Sequence, residues 1–199
     1  MMRLSAFVAL ALMLPGDPPQ PRELTAAEQK AVPAAAEKAL KDRDLWKGKI
    51  YLTNSEVVLD ESVKPPQRYA LLTFYRYEGN LAILVTVRLD KITVTNVESR
   101  PHMPTSLAPA EIAEAKKMAR EHPEIQKALL RYKHLDKIEI DTIVAQIISP
   151  EVPGYHHRVA RLFFRDEKRN YLAGVPMVDV DLTTGEVRFD LIRGMHDKK

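Results

Sequence analysis

The sequence predicts an α+β protein built from two copies of one small unit, each a helix packed on an antiparallel sheet of about four strands. Three observations predict it. Both halves open with matching helix starts, "LTAAE" at Leu24 and "LAPAE" at Leu107. Both then carry strands with the same alternation, "RYALLTFYRYEGN" from Arg68 and "RVARLFFRDEKRN" from Arg158. A proline-bearing break, "ESRPHMPTS" from Glu98 to Ser106, separates them.

The chain opens with the pattern of an export signal. "MMR" supplies a positive charge, Leu4 to Leu14 is almost wholly apolar, and Pro15-Gly16 ends the run. That run is too short for a bilayer, which takes about 20 helical residues, but it suits a signal core. The expected organisation is a signal over residues 1–16, a proline-rich spacer over 17–23 and a first repeat over 24–98. A linker over 99–106, a second repeat over 107–192 and a tail over 193–199 follow. The expected location is therefore periplasmic or extracellular. The 199 residues include no cysteine, so disulfides and thiolate chemistry are excluded. A net charge of +3 does not make a polycation. Its basic residues alternate with acids, so no nucleic-acid stripe is expected.

The first helix begins with a capping box, Thr25 and Glu28, which satisfies free backbone N–H groups. Pro33 lies inside it and is expected to kink or divide it, because proline removes an i→i−4 bond. The second helix has Ala108 at the cap and Pro109 at the first turn, with Ile112, Ala115 and Ala119 on one face. A short third helix starts at Pro123 and turns Ile125, Ala128 and Leu129 inward.

Strand alternation then assigns faces. Ala70, Leu72 and Phe74 share one face, as do Ala160, Leu162 and Phe164. "VRLD" (Val87 to Asp90) aligns with "VDVD" (Val178 to Asp181). The opposite face of the first sheet carries Tyr69, Leu71, Tyr75 and Tyr77, too aromatic to be simply wet. It either packs on the other repeat or meets a partner. In the second copy the outer face carries Val159, Arg161, Phe163 and Arg165, with Asp179 and Asp181 on the neighbouring strand as cross-strand ion-pair partners. Of these, Tyr69, Leu71, Tyr75 and Tyr77 in the first half and Arg161, Phe163 and Arg165 in the second are the candidate interface.

Catalytic signatures are missing. No nucleophile elbow, P-loop or Gly-x-Gly-x-x-Gly occurs, and the six histidines show no H-E-x-x-H spacing. His156 and His157, placed at the start of a strand, would point to opposite faces and could not share one ion. "DLTTGEV" (Asp181 to Val187) reads as a hairpin with Gly185 at positive φ.

The two repeats resemble the N-terminal N2 and N3 domains of copper amine oxidases. The second half carries the stronger match, in "LAPAEIAEA", "HPEIQKAL", "RVARLFF" and "NYLAGVPMVDVDLTTGEV". The resemblance runs from Leu24 to Phe189 and implies a cystatin-like fold. The chain departs from the family where Tyr171 is followed by "LAGVP" in place of an Arg-Pro-Ile-Glu-Gly-like run, and where "AL" is followed by "LRYKH" instead of Arg-Gly. The family's quinone-forming tyrosine sits in an Asn-Tyr-Asp/Glu motif, and Asn170-Tyr171-Leu172 lacks the acid. Its copper ligands include a His-x-His pair, and His156-His157 lacks the spacer. The resemblance thus carries over no catalytic residue, metal ligand or cofactor. It implies a non-catalytic binding or accessory module whose partner is a protein; the alternative is a non-catalytic subunit of a copper amine oxidase whose catalytic domain is on a separate chain. A cystatin-type inhibitor is the less favoured class, because "QIISP" (Gln146 to Pro150) does not supply a Gln-x-Val-x-Gly loop.

Overall fold

The computed structural model describes residues 23–190 apart from positions 133, 148 and 153. The expected signal, most of the spacer and the tail lie outside the described residues. The first half consists of α1 (Ala26–Asp42) followed by β1 (Ile50–Asp60), β2 (Gln67–Arg76), β3 (Leu81–Arg88) and β4 (Thr93–Pro101). The second consists of α2 (Pro109–Glu121), α3 (Pro123–Leu129), a short 3-10 turn (Leu135–Lys137) and β5 (Glu139–Ala145), β6 (Val159–Arg165), β7 (Met177–Asp181) and β8 (Glu186–Asp190). Each half forms an antiparallel meander whose strand order follows the chain. The α+β class and the paired four-stranded sheets match the sequence expectation. β4 continues to Pro101, so the chain leaves the first sheet at His102, later than the break at Glu98 suggests.

Helix starts form where the capping chemistry is. Thr25 Oγ1 accepts the Glu28 N–H, and Glu28 accepts the Thr25 N–H at 2.8 Å. In α2 the alanine cap has no side-chain oxygen, but Glu111 still accepts the Ala108 N–H at 2.7 Å. Pro33 does not divide α1, which runs through it as one element. A mid-helix proline costs about 3 kcal/mol. Val32, Ala36 and Leu40 are all fully buried on one side of α1. Burying an aliphatic side chain of that kind gains about 1.5–3 kcal/mol, so packing outweighs the lost hydrogen bond.

Two cores result. Val32, Ala36 and Leu40 of α1 join Ala70, Leu72, Phe74, Ile83, Val85 and Val87 in the first. Ala115, Ala119 and Ile125 join Ala160, Leu162, Phe164, Val178 and Val180 in the second. The shared Ala-Leu-Phe face is therefore the core face in both copies. Register corrects one alignment. Ala70 pairs with Val87 and Leu72 with Val85, whereas Ala160 pairs with Val180 and Leu162 with Val178. Val87 thus corresponds to Val180, and not to Val178. The β6–β7 connection is longer than its β2–β3 counterpart, and the short matching string could slide by one pleat repeat within it.

Candidate functional site

Three groups of polar and aromatic side chains stand out. The first is the junction between the halves. Arg158 precedes β6 and lies 3% exposed, and Glu111, in the first turn of α2, is fully buried. The guanidinium donates to both carboxylate oxygens at 3.0 Å and to the carbonyls of Thr105 and Ser106. Tyr77 of the first half donates its hydroxyl to Glu111 at 2.7 Å. The Arg158 guanidinium lies over the Tyr75 ring at 4.2 Å. Lys49 reaches Glu114 at 3.1 Å. Burial opposes ionisation of Glu111, but the Arg158 hydrogen bonds and the Ala108 N–H hold its carboxyl below the ordinary glutamate value. Burial pushes the Tyr75 phenol up to about 12. Burial and the hydrogen bond to Glu111 push Tyr77 further still.

The second group surrounds Asn80, whose φ of 46° sits in the left-handed region asparagine tolerates. Its side chain accepts from the Tyr75 hydroxyl at 2.8 Å and donates to the His156 carbonyl at 2.6 Å. Its own carbonyl accepts the His102 N–H at 2.8 Å. The His102 and His156 rings stack with centroids 3.7 Å apart. Partial desolvation and the neighbouring His102 lower the pKa of His156. His157 turns elsewhere, its Nδ1 lying 2.6 Å from Asp181. The two adjacent histidines do diverge, but the cause differs from the sequence reading. They occupy a turn before β6, with His156 at a φ of 61°, and strand alternation plays no part. Among the described residues no cluster of three or more His, Cys, Asp or Glu side chains has the arrangement of a metal site.

Asp181 is 1% exposed. One oxygen accepts the N–H groups of Thr183 and Thr184, and the other faces His157 and accepts from Arg188 at 3.0 Å. In register Asp181 lies opposite Val159, so it takes no part in the cross-strand arginine–aspartate pairing expected of it. Asp181 sits at the end of β7, within reach of the turn it caps, and Arg165 instead meets Asp141 on its other neighbour at 2.8 Å.

The third group is the outer face of the second sheet. Arg161 and Asp179 are opposite in register and form a two-pronged pair at 2.7 and 2.8 Å, as expected. Phe163 packs against Tyr171 with centroids 5.6 Å apart, and Arg165 lies over that tyrosine ring at 4.7 Å. Tyr171 is 62% exposed and Ile143 is 52% exposed. Phe163, Tyr171, Gly174, Pro176 and Met177 line a groove of about 450 Å³.

The candidate interface residues therefore separate. Tyr75 and Tyr77 are committed to the junction, and Tyr75, 2% exposed, has no surface left for an external partner. Tyr69 donates to Gln67 and stays half-buried, while Leu71 remains exposed. Arg161, Phe163 and Arg165 share the outer face of the second sheet. Sequence reasoning missed the Arg–Glu pairing. Its signal was present, because Glu28 and Glu111 occupy matching helix starts and Arg68 and Arg158 matching strand starts. Arg68 and Glu28 form the same pair in the first half, at 2.9 Å. Among the described residues no helix is long and apolar enough to cross a membrane. No family model matches the chain, and no curated protein is significantly similar to it.

Proposed function

We propose that this chain is an exported, non-catalytic binding module with two cystatin-like repeats, serving as an accessory to a protein partner. The resemblance to amine oxidase N-terminal domains supports an enzyme of that type as the partner. The observation that carries the reading is the outer face of the second sheet. Arg161, Phe163, Arg165 and Tyr171 form an aromatic and arginine-rich surface beside an open groove. Such side chains dominate protein interfaces because they combine large apolar area with directional polar contacts. Two buried carboxylates that could do acid–base chemistry are meanwhile used inside the fold. Glu111 is held by Arg158 and Tyr77, and Asp181 by its turn, His157 and Arg188.

The test is affinity capture from the exported fraction of the source cells with the wild-type chain and with a Phe163→Ser, Tyr171→Ser double variant. A partner recovered by the wild type and lost by the variant supports the reading. Equal recovery by both, or quinone staining with amine oxidation by the purified chain, overturns it.

A further inference from the structure

The duplication supplies an internal comparison. In the first half, the segment joining α1 to β1 places Trp46 edge-on to Phe74, with ring centroids 5.7 Å apart. Trp46 and Leu45 are packed against the first core and close its end. Phe164 is the counterpart of Phe74 on the core face of the second sheet. No tryptophan follows α2, because the only one in the chain is Trp46. In the second half Phe164 is covered without one, at 3% exposed, and forms the floor of an open cleft of about 400 Å³ walled by Leu129, Leu130, Leu135 and Ile138. Leu130 is 77% exposed and Leu135 is 49% exposed, which is unusual for two large aliphatic side chains so close together.

The rim is basic. Arg120 lines the cleft and Lys127 is exposed next to Gln126, which also lines it, whereas the Arg131 guanidinium lies against Gly174 of the other groove. Among the described residues, none of these three basic side chains forms an ion pair. By contrast, Lys38, Lys41, Lys47 and Lys49 in the first half all have acidic partners. Glu121, Glu124 and Asp136 lie nearby in sequence, but Lys133 and Lys137 leave the segment from Arg120 to Lys137 net positive.

We propose that this cleft is a docking site for an acidic segment of a partner protein, which lays an aromatic side chain on Leu130 and Leu135 at its mouth. The aromatic ring would cover the exposed Leu130 and Leu135 side chains, and flanking carboxylates would meet Arg120 and Lys127. Phe164 borders both this cleft and the groove beside the outer face, but Arg120, Leu130 and Leu135 line the cleft and not that groove, so substitutions there address this site alone. Failure here leaves the outer-face reading standing.

The probe is a dye-labelled synthetic peptide with one tryptophan between aspartates and glutamates, followed by fluorescence anisotropy on the full chain. Saturable binding is expected, weakened at least about tenfold by Arg120→Glu and by Leu130→Ser, and weakened by salt. Both positions are exposed, so unchanged melting should accompany the loss. Replacing the peptide's tryptophan by alanine should abolish binding. Absence of saturable binding, equal binding by both variants, or retention of the chain on anionic vesicles without peptide binding would overturn the assignment.

Discussion

Arg158 and Glu111 meet through two 3.0 Å hydrogen bonds at the boundary between the halves, where 3% of one and none of the other is exposed. Arg68 and Glu28 make the same pair in the first half. Each guanidinium also donates to a backbone carbonyl just before the helix, that of Ser106 or that of Glu23. The pair ties the first turn of a helix to the start of the strand beneath it, once in each repeat. Only the second copy is also gripped from outside, by Tyr75 and Tyr77.

Glu111→Gln or Arg158→Met should cost about 3–5 kcal/mol, because each leaves an uncompensated buried charge or an orphaned donor set. The more exposed Arg68–Glu28 pair, with side chains 12% and 13% accessible, should cost less when broken, about 1–3 kcal/mol. Denaturant unfolding of these two variants, of Glu28→Gln and of Arg68→Met checks the ranking.

Acid should remove part of this stability. Glu28 and Glu111 both have folded pKa values below the ordinary 4.5. The unfolded chain therefore binds more protons near that pH, and the contribution is complete above it. It drains away as pH falls through the depressed values. Unfolding midpoints measured between pH 7 and pH 3 should fall most steeply at the acid end, and Glu111→Gln should flatten that slope.

Alkali acts on the tyrosines with the opposite sign. The Tyr75 phenol is raised from 10 to about 12, so the folded state holds its proton more tightly than the unfolded chain does. Its contribution is intact below about pH 10 and is lost as pH rises through the folded value. Spectrophotometric titration should show two phenols, Tyr75 and Tyr77, ionising after the others, in step with unfolding.

The junction should also couple the two cores. Tyr77→Phe removes a donor from Glu111 and should cost about 1–2 kcal/mol. Tyr75→Ala empties a buried site beneath Arg158 and should cost about 3–5 kcal/mol. In the Tyr75→Ala variant calorimetry should resolve two melting steps closer to independent than in the wild type.

The outer-face pair should behave differently. Arg161 and Asp179 are 31% and 17% accessible, so Arg161→Ala should change stability by only about 0–1 kcal/mol. Capture of a partner through that face should nevertheless fall, a split that a purely structural role would not produce.

Local chemistry determined much of this protein. Thr25 and Glu28, Pro109 and Pro123 marked helix starts, and the Ala-Leu-Phe alternation marked both core faces, because capping and side-chain period act within a few residues. The duplication was legible for the same reason. Tertiary structure decided which outer residues are free. Tyr75 and Tyr77 look like Phe163 and Arg165 in strand pattern, yet only the docking of one half on the other covers the tyrosines. Pro33 shows the same limit, since α1 stays whole through packing that lies far away in the chain. The strand register after the long β6–β7 connection, and the partners of Asp181, likewise depend on contacts between distant segments, whose energies no local pattern encodes.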